Sequence, residues 1–171
     1  HSGALPMLYK QGYRGPVYAT PATRDLCVPM LLDAAMIQES DAGHIGRLIT
    51  RDRAPIEPAE VLYTRDDAVA VMEQMIAIPY RRRQVVAPGV TATFLDAGHV
   101  LGSAIVVLDI DDEGERTRVA FTGDLGRHHL PILRDPEVPD GVHCLLMEST
   151  YGDRLHDPIE VAGEALSETI Q

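Results

Sequence analysis

Three side chains in this sequence could carry chemistry because of their types and their positions. His99, Asp124 and Glu148 each follow an apolar, strand-like run, and glycines flank the first two. Imidazole nitrogens and carboxylate oxygens ligate zinc, and both groups also transfer protons in catalysis. Because sites in layered α/β folds collect where strands end, we expect the three side chains to converge at one edge of a sheet.

Each of these side chains also has a structural interpretation when it is considered alone. His99 could be an exposed imidazole in a glycine-flanked loop, and Asp124 could cap a turn rather than bridge two metal ions. Glu148 could pair with Arg154 at the surface, or it could transfer a proton or orient a histidine. Their occurrence in order, each after its own hydrophobic run, favours a shared site.

The elements that must position these residues are strands in the second half of the chain. Alternating and β-branched runs predict a mostly antiparallel set, and the acidic stretch Asp111–Glu115 predicts a hairpin turn between two of its members. The predicted strands are Gln84–Val86, Val90–Leu95, Ala104–Ile110, Arg118–Phe121 and Cys144–Met147.

Helices dominate the first half. Ser2–Gln11 reads as a helix closed by Gly12, followed by a short β-rich run at Pro16–Ala19. A second helix is predicted over Asp25–Ser40, starting near Thr20 and Pro21 and containing Pro29. Its predicted apolar face consists of Leu26, Met30, Leu31, Ala34 and Ile37.

Residues 41–60 are rich in glycine, proline and mixed charges and predict a surface insertion. Thr64 then has the features of an N-cap, with acids in the first turn. The helix that follows should end before Pro79, with an apolar face made of Val69, Met72, Met75 and Ile76. A last helix is predicted to start at Asp157–Glu160, with Pro158 at its first position.

Composition excludes several classes. The 171 residues are 45% hydrophobic and 24% charged, which is typical of a globular domain. No run of about 18 apolar residues occurs, so no transmembrane helix is predicted. The net charge of −11 argues against a protein that coats nucleic acid, although two zinc ions would add about four positive charges locally. Cys27 and Cys144 lie in apolar runs and predict buried, reduced thiols, with a disulfide between them as the alternative.

Taken together, the motifs resemble a known family. Gly98–Ala104, Thr122–Asp124 and Glu148–Gly152 are similar to motifs of the β-CASP branch of the metallo-β-lactamase superfamily. His1–Pro6 is similar to the end of that family's His-x-His-x-Asp-His motif. The resemblance covers essentially the whole chain.

The resemblance implies an α/β fold: a metallo-β-lactamase αββα sandwich, partial, lacking its first strands and the β-CASP cap. Residues 1–152 would be the partial metallo-β-lactamase domain, and 153–171 the start of the cap region. Because the chain opens at His1 without an initiator methionine, we expect the natural protein to be longer.

For the site, the resemblance implies that His1 ligates one zinc, His99 ligates the other and Asp124 bridges the two. Glu148 would assist protonation of the leaving group together with a later histidine. The alternative for His1 is a truncated or tag-derived terminus. The remaining histidines match no ligand motif, and His128 and His129 are expected to be exposed loop residues; this set is His44, His128, His129, His143 and His156.

The function implied is a zinc-dependent RNA phosphodiester hydrolase, an endo- or 5′-exoribonuclease with two zinc ions per active site. The protein would be cytoplasmic and would act on single-stranded RNA. It would not bind a membrane, and it could form a homodimer. With only three of the inferred ligands present, the chain by itself is expected to be inactive. The alternatives are a thioester or lactam hydrolase on the same fold, and a non-catalytic scaffold. DNA is the alternative substrate, since some relatives act on it.

Overall fold

The computed structural model describes residues 2–52, 57–155 and 159–170. They form two compact units, one up to Pro79 and one from Tyr80 onwards. The fold is mixed α/β, as predicted, while the αββα sandwich and the domain boundary after residue 152 stay predictions. Among the described helices, none combines the length and the apolar character needed to cross a bilayer.

The first unit is mainly helical, with one small sheet. Its helix α1 follows a single 3-10 turn at Ser2–Ala4, and its two strands pair in parallel. The elements are α1 Leu5–Lys10, β1 Val17–Ala19, α2 Pro21–Asp52, α3 Arg65–Glu73 and β2 Met75–Ala77. The predictions of a helix before Gly12 and of a short strand after Pro16 are confirmed.

Helix α2 is longer than predicted. It runs through Pro29 and continues to Asp52, so the surface insertion expected from residue 41 is wrong over 41–52. The glycines and charges in that stretch suggested irregular structure, but partly buried apolar side chains continue at helical spacing. These side chains are Ala42, Ile45, Leu48 and Ile49. Residues 53–56 lie outside the described part of the chain.

The buried face of α2 also differs from the predicted one. Leu26, Met30 and Ile37 are 45%, 55% and 53% exposed, whereas Leu31 is buried as expected. The helix instead buries the i, i+4 series Cys27, Leu31 and Ala35, because that stripe packs against α3. Periodicity alone permitted either stripe, and the position of the neighbouring helix selected one.

Helix α3 begins as predicted and ends earlier. The hydroxyl of Thr64 accepts a hydrogen bond from the N–H of Asp67, and the Asp67 carboxylate accepts one from the N–H of Thr64. This reciprocal pair is a capping box, which satisfies two backbone donors at once. Met75 and Ile76, predicted on the helix, lie in β2 instead, where they pair with Val17 and Tyr18.

The second unit contains a five-stranded sheet in the order β3-β4-β5-β6-β7. The first four strands are antiparallel neighbours, and β7 runs parallel to β6. The strands are β3 Gln84–Ala87, β4 Val90–Asp96, β5 Ala104–Asp112, β6 Glu115–Phe121 and β7 Cys144–Leu146, and helix α4 spans Ile159–Ile170. All five predicted strands and the hairpin are confirmed; the predicted helix start at Asp157 and Pro158 lies outside the described residues.

One face of this sheet carries the core of the second unit, built from Ile105, Val107 and Ala120 together with Ala97. Both cysteines are free thiols, so they form no disulfide. Cys27 is buried as predicted, but the prediction that Cys144 is buried is wrong. Cys144 lies on β7, where all three side chains are exposed, so the described residues leave both faces of this strand uncovered.

Candidate active site

Strand direction brings the three predicted side chains to one edge of the sheet. β4 and β6 are both antiparallel to β5, and β7 is parallel to β6, so β4, β6 and β7 end at the same edge. His99 follows β4, Asp124 follows β6 and Glu148 follows β7. The carboxyl ends of like-oriented strands are where layered α/β folds build their sites.

The three side chains line a single cleft of about 450 Å³. The Nε2 atom of His99 lies 4.0 Å from Oδ2 of Asp124, and both side chains are about half exposed. The other lining residues are Leu125, Gly126, Arg127, Leu130, Thr150 and Tyr151. The cleft therefore combines an imidazole and two carboxylates with apolar and cationic walls.

The pair of His99 and Asp124 fits part of a zinc site. Two ligands held at about 2.0–2.1 Å with a tetrahedral angle would lie about 3.4 Å apart, so a separation of 4.0 Å needs only a small adjustment. Within residues 2–52, 57–155 and 159–170, however, no group of three or more His, Cys, Asp or Glu side chains is arranged to hold a metal. His1, the other predicted ligand, lies outside these residues.

Glu148 connects two of the strand ends. Its Oε1 accepts a hydrogen bond of 2.6 Å from the N–H of Leu125, the residue after Asp124. Its own N–H donates to the hydroxyl of Thr122, whose N–H in turn donates to the carbonyl of Leu146. Glu148 thus holds the loop that carries Asp124 against the end of β7.

The hydrogen bond from the Leu125 N–H, followed by those from Thr150, lowers the pKa of Glu148 below its ordinary value. The carboxyl group is therefore ionised at neutral pH. The alternative of a surface pair with Arg154 is not what the structure shows. The Arg154 guanidinium instead lies over the ring of Tyr151, 4.6 Å from its centroid.

Two further residues, Gly126 and Ser103, fix the backbone around His99 and Asp124. The N–H of Gly126 donates to the carbonyl of Ala97, and a Cβ at Gly126 would lie only 1.6 Å from the carbonyl oxygen of Gly98. The hydroxyl of Ser103 accepts from the N–H groups of His99 and Val100. Sequence reasoning gave these residues no role; the signal for Gly126 was a glycine two residues after a candidate ligand.

The histidines assigned no ligand role lie elsewhere. The side chains of His128 and His129 are 66% and 88% exposed, as predicted, and both approach Oδ2 of Asp135. Nδ1 of His143, the residue before β7, accepts from the N–H of Arg118 in the middle of β6. His44 is exposed on α2, and His156 lies outside the described residues.

Comparison with known proteins gives relatives across most of the chain. It is 35% identical over 155 residues to the transcription termination factor FttA of Methanosarcina mazei, covering 90% of this chain and 21% of that protein. It is 32% identical over 158 residues to ribonuclease TTHA0252 of Thermus thermophilus, covering 92% of this chain and 31% of the ribonuclease. It is 33% identical over 174 residues to the transcription termination factor FttA of Pyrococcus abyssi, covering 99% of this chain and 24% of that protein.

The chain thus spans between about a fifth and a third of the length of these relatives. No known protein-family profile matches it.

Proposed function

We propose that this chain, which belongs to the β-CASP branch of the metallo-β-lactamase superfamily, supplies part of the active site of a zinc-dependent RNA hydrolase. The observation that carries the proposal is the convergence of His99, Asp124 and Glu148 in one cleft at a sheet edge. The relatives named as a ribonuclease and as transcription termination factors support RNA as the substrate. The enzyme would act as an endo- or 5′-exoribonuclease.

In this proposal His99 ligates zinc through Nε2 and Asp124 through its carboxylate, which has a second oxygen for a neighbouring ion. His1 and residues beyond this chain would complete the set. Bound zinc would stabilise charge on the phosphate and lower the pKa of a bound water towards neutrality. Among the described residues only His99 and Asp124 approach each other in this way, and even with His1 the set has three ligands, which is why we expect the chain to be inactive by itself.

Glu148 has a separate role in the proposed reaction. As an ionised carboxylate it cannot itself give a proton to the leaving group. It can hold the Asp124 loop through Leu125 and favour the protonated form of an imidazole placed beside it. Such an imidazolium would be the proton donor to the departing ribose oxygen, in keeping with the later histidine that the resemblance implies.

The walls of the cleft suit a flexible strand of RNA. Arg127 offers a cation near the ligand pair, and Leu130 and Tyr151 offer apolar surface. Single-stranded RNA is bound through stacking of bases on aromatic rings or guanidinium planes, combined with contacts to the backbone. Tyr151 in the cleft lining supplies an aromatic plane, and the Arg154 guanidinium lies over one face of its ring.

The test measures zinc content and cleavage of single-stranded RNA by the full-length protein, beside its Asp124→Ala and Glu148→Ala variants. A matched DNA, a thioester and a lactam serve as alternative substrates. Asp112→Ala is the control, because it removes an exposed carboxylate from the opposite edge of the same sheet. We expect about two zinc ions and RNA cleavage for the wild type and the control, and loss of cleavage in both site variants.

Retention of zinc and activity by Asp124→Ala would show that the site assignment is wrong. Hydrolysis of the thioester or lactam without cleavage of RNA would replace the nuclease with another hydrolase of the same superfamily. A full-length protein that binds no zinc and hydrolyses none of these substrates would instead support the alternative of a non-catalytic scaffold.

A further inference from the structure

We infer that Glu137 is a positioning residue for His99, acting through the end of strand β4. It lies outside the three motifs, in the loop between β6 and β7, and has been given no role so far. The inference deepens the proposed function, because positioning His99 matters for catalysis only if His99 is a metal ligand. It rests on four contacts of the segment 134–137, of which three reach the residues just before His99 and one joins Glu137 to Arg81.

The first two contacts join Glu137 to Asp96, the last residue of β4. Oε1 of Glu137 accepts a hydrogen bond of 2.9 Å from the N–H of Asp96. The N–H of Glu137 donates to the carbonyl of Asp96, also at 2.9 Å. Because β5 pairs with the other side of β4 there, these bonds fix the backbone of Asp96 on the side that β5 leaves open.

The third contact gives the Glu137 carboxylate a cation. Its Oε2 lies 2.8 Å from Nε of Arg81, and the N–H of Arg81 donates to the carbonyl of Phe94 in β4. Arg81 has a φ of 62°, which is uncommon for a side chain other than glycine and persists where surrounding contacts determine the backbone. Glu137 thereby contacts β4 directly at Asp96 and, through Arg81, at Phe94.

The fourth contact reaches the residue next to His99. A Cβ at Gly98 would lie 2.8 Å from both the carbonyl oxygen of Arg134 and Cδ of Pro136. Gly98 also has a φ of 66°, and its N–H donates to Oδ1 of Asp96. The segment 134–137 therefore determines both ends of the turn from Asp96 to Gly98, which aims the imidazole of His99.

These contacts are partly shielded from water. The Glu137 side chain is 24% exposed. Burial raises the pKa of its carboxyl group, but the hydrogen bonds from Asp96 and Arg81 outweigh that effect and leave the pKa below its ordinary value. The carboxylate is therefore ionised at neutral pH, and a charged acceptor in a partly buried place holds its donors firmly.

The matched control is the pair of Asp109 and Arg118, which face each other in the middle of the β5–β6 ladder and do not line the cleft. Asp109 is also 24% exposed and also accepts from an arginine Nε, at 2.6 Å. Asp109→Asn should therefore weaken the fold to an extent comparable with Glu137→Gln, without reaching the cleft. Glutamine at position 137 can still accept from Asp96 but cannot accept from Arg81, whereas Glu137→Ala loses both bonds.

The experiment uses the full-length protein with these three substitutions. It measures zinc affinity, the kcat and KM for RNA, thermal stability, and amide hydrogen exchange at Gly98 and His99. We expect zinc affinity or kcat to fall about 10- to 100-fold in Glu137→Ala, as for outer partners of metal ligands, and less in Glu137→Gln. KM should stay constant, exchange at Gly98 and His99 should accelerate, and Asp109→Asn should change stability alone.

The inference is overturned if the Glu137 variants change only stability, or if Asp109→Asn alters zinc binding and exchange at Gly98 and His99 equally. If Glu137→Ala fails to fold, Glu137→Gln and Arg81→Lys are compared with Asp109→Asn by the same measurements. Should the wild type neither bind zinc nor cut RNA, the proposed function falls. Hydrogen exchange at Gly98 and His99 would still decide whether Glu137 orders that turn.

Discussion

At the scale of single residues, Gly126 sets the distance between the two loops that carry His99 and Asp124. Its N–H donates to Ala97, and its Cα approaches the carbonyl of Gly98 so closely that no side chain fits. Because the obstacle is backbone on both sides, neither loop can move aside by a change of rotamer. A methyl group there must push the two loops apart.

We therefore expect Gly126→Ala to lower zinc affinity and RNA cleavage by the full-length protein by roughly tenfold or more, since outer contacts of metal sites have effects of that size. Zinc titration and initial cleavage rates check this. Gly46→Ala is the control, because a Cβ there meets nothing within 4 Å in the interior of α2. That change should stabilise the protein by about 0.5–1 kcal/mol and leave activity alone. Equal activity of the two variants would contradict the role of Gly126.

At the scale of elements, a cross-strand ion pair joins β5 to β6. Asp109 and Arg118 are direct partners in the ladder, with Nε 2.6 Å from Oδ1, and Arg83 approaches the other carboxylate oxygen at 3.3 Å. Arg118 also donates to the carbonyl of Asp140 in the loop that leads to β7. The pair thus links β5 to β6 in the middle of their ladder, and its further contacts reach Arg83 just before β3 and the loop before β7.

This pair should make stability depend on pH in a defined direction. The hydrogen bond from Arg118 lowers the pKa of Asp109 below its value in the unfolded chain, about 3.9. A lowered folded-state pKa adds stability that is complete above that unfolded value and is lost as the pH falls through the folded one. Urea unfolding should show Asp109→Asn clearly less stable than wild type at pH 7.

The difference between these two proteins should shrink as the pH falls below about 3.9 and through the lowered pKa of Asp109, because the protonated aspartic acid resembles asparagine. Arg116→Gln is the control, because the exposed pair of Arg116 with Asp111 at 3.5 Å should contribute little throughout this pH range. A difference for Asp109→Asn that stays constant as the pH is lowered from 7 until the protein unfolds in acid would argue against this account.

At the scale of the whole molecule, the negative charge of the chain and its acidic cleft make zinc a stabilising ligand in the proposed function. The net charge is −11, and two carboxylates face the cleft beside His99. A ligand that binds only the folded state stabilises it by mass action, by about 2.7 kcal/mol at a free concentration 100 times its Kd. Zinc should therefore raise the Tm of the full-length protein.

Removal of zinc with a chelator should lower the Tm of the wild type and of Asp112→Ala by a similar amount. Asp124→Ala should show no such zinc-dependent difference. Differential scanning calorimetry with and without chelator measures this. A Tm that does not respond to zinc in the wild type would contradict metal binding by the folded protein.

Much of the fold could be predicted because its signals are local. The capping box at Thr64 and Asp67, the hairpin at Asp111–Glu115 and the alternation along β4 are each readable within a few residues. The predictions failed where contact with a distant segment of the chain determined the secondary structure or the buried face. Met75 fits a helical face equally well, but pairing with Val17 makes it part of a strand.

The sequence by itself determined the types and order of the elements apart from β2, and it determined that His99, Asp124 and Glu148 each follow a strand. These properties depend on side-chain periodicity and turn chemistry over short stretches. Only the tertiary structure decided which face of α2 is buried, how closely Gly126 approaches Gly98, and that Glu137 bonds to Asp96. Such contacts join residues that are far apart in the chain, and no local pattern specifies which backbone atoms will meet.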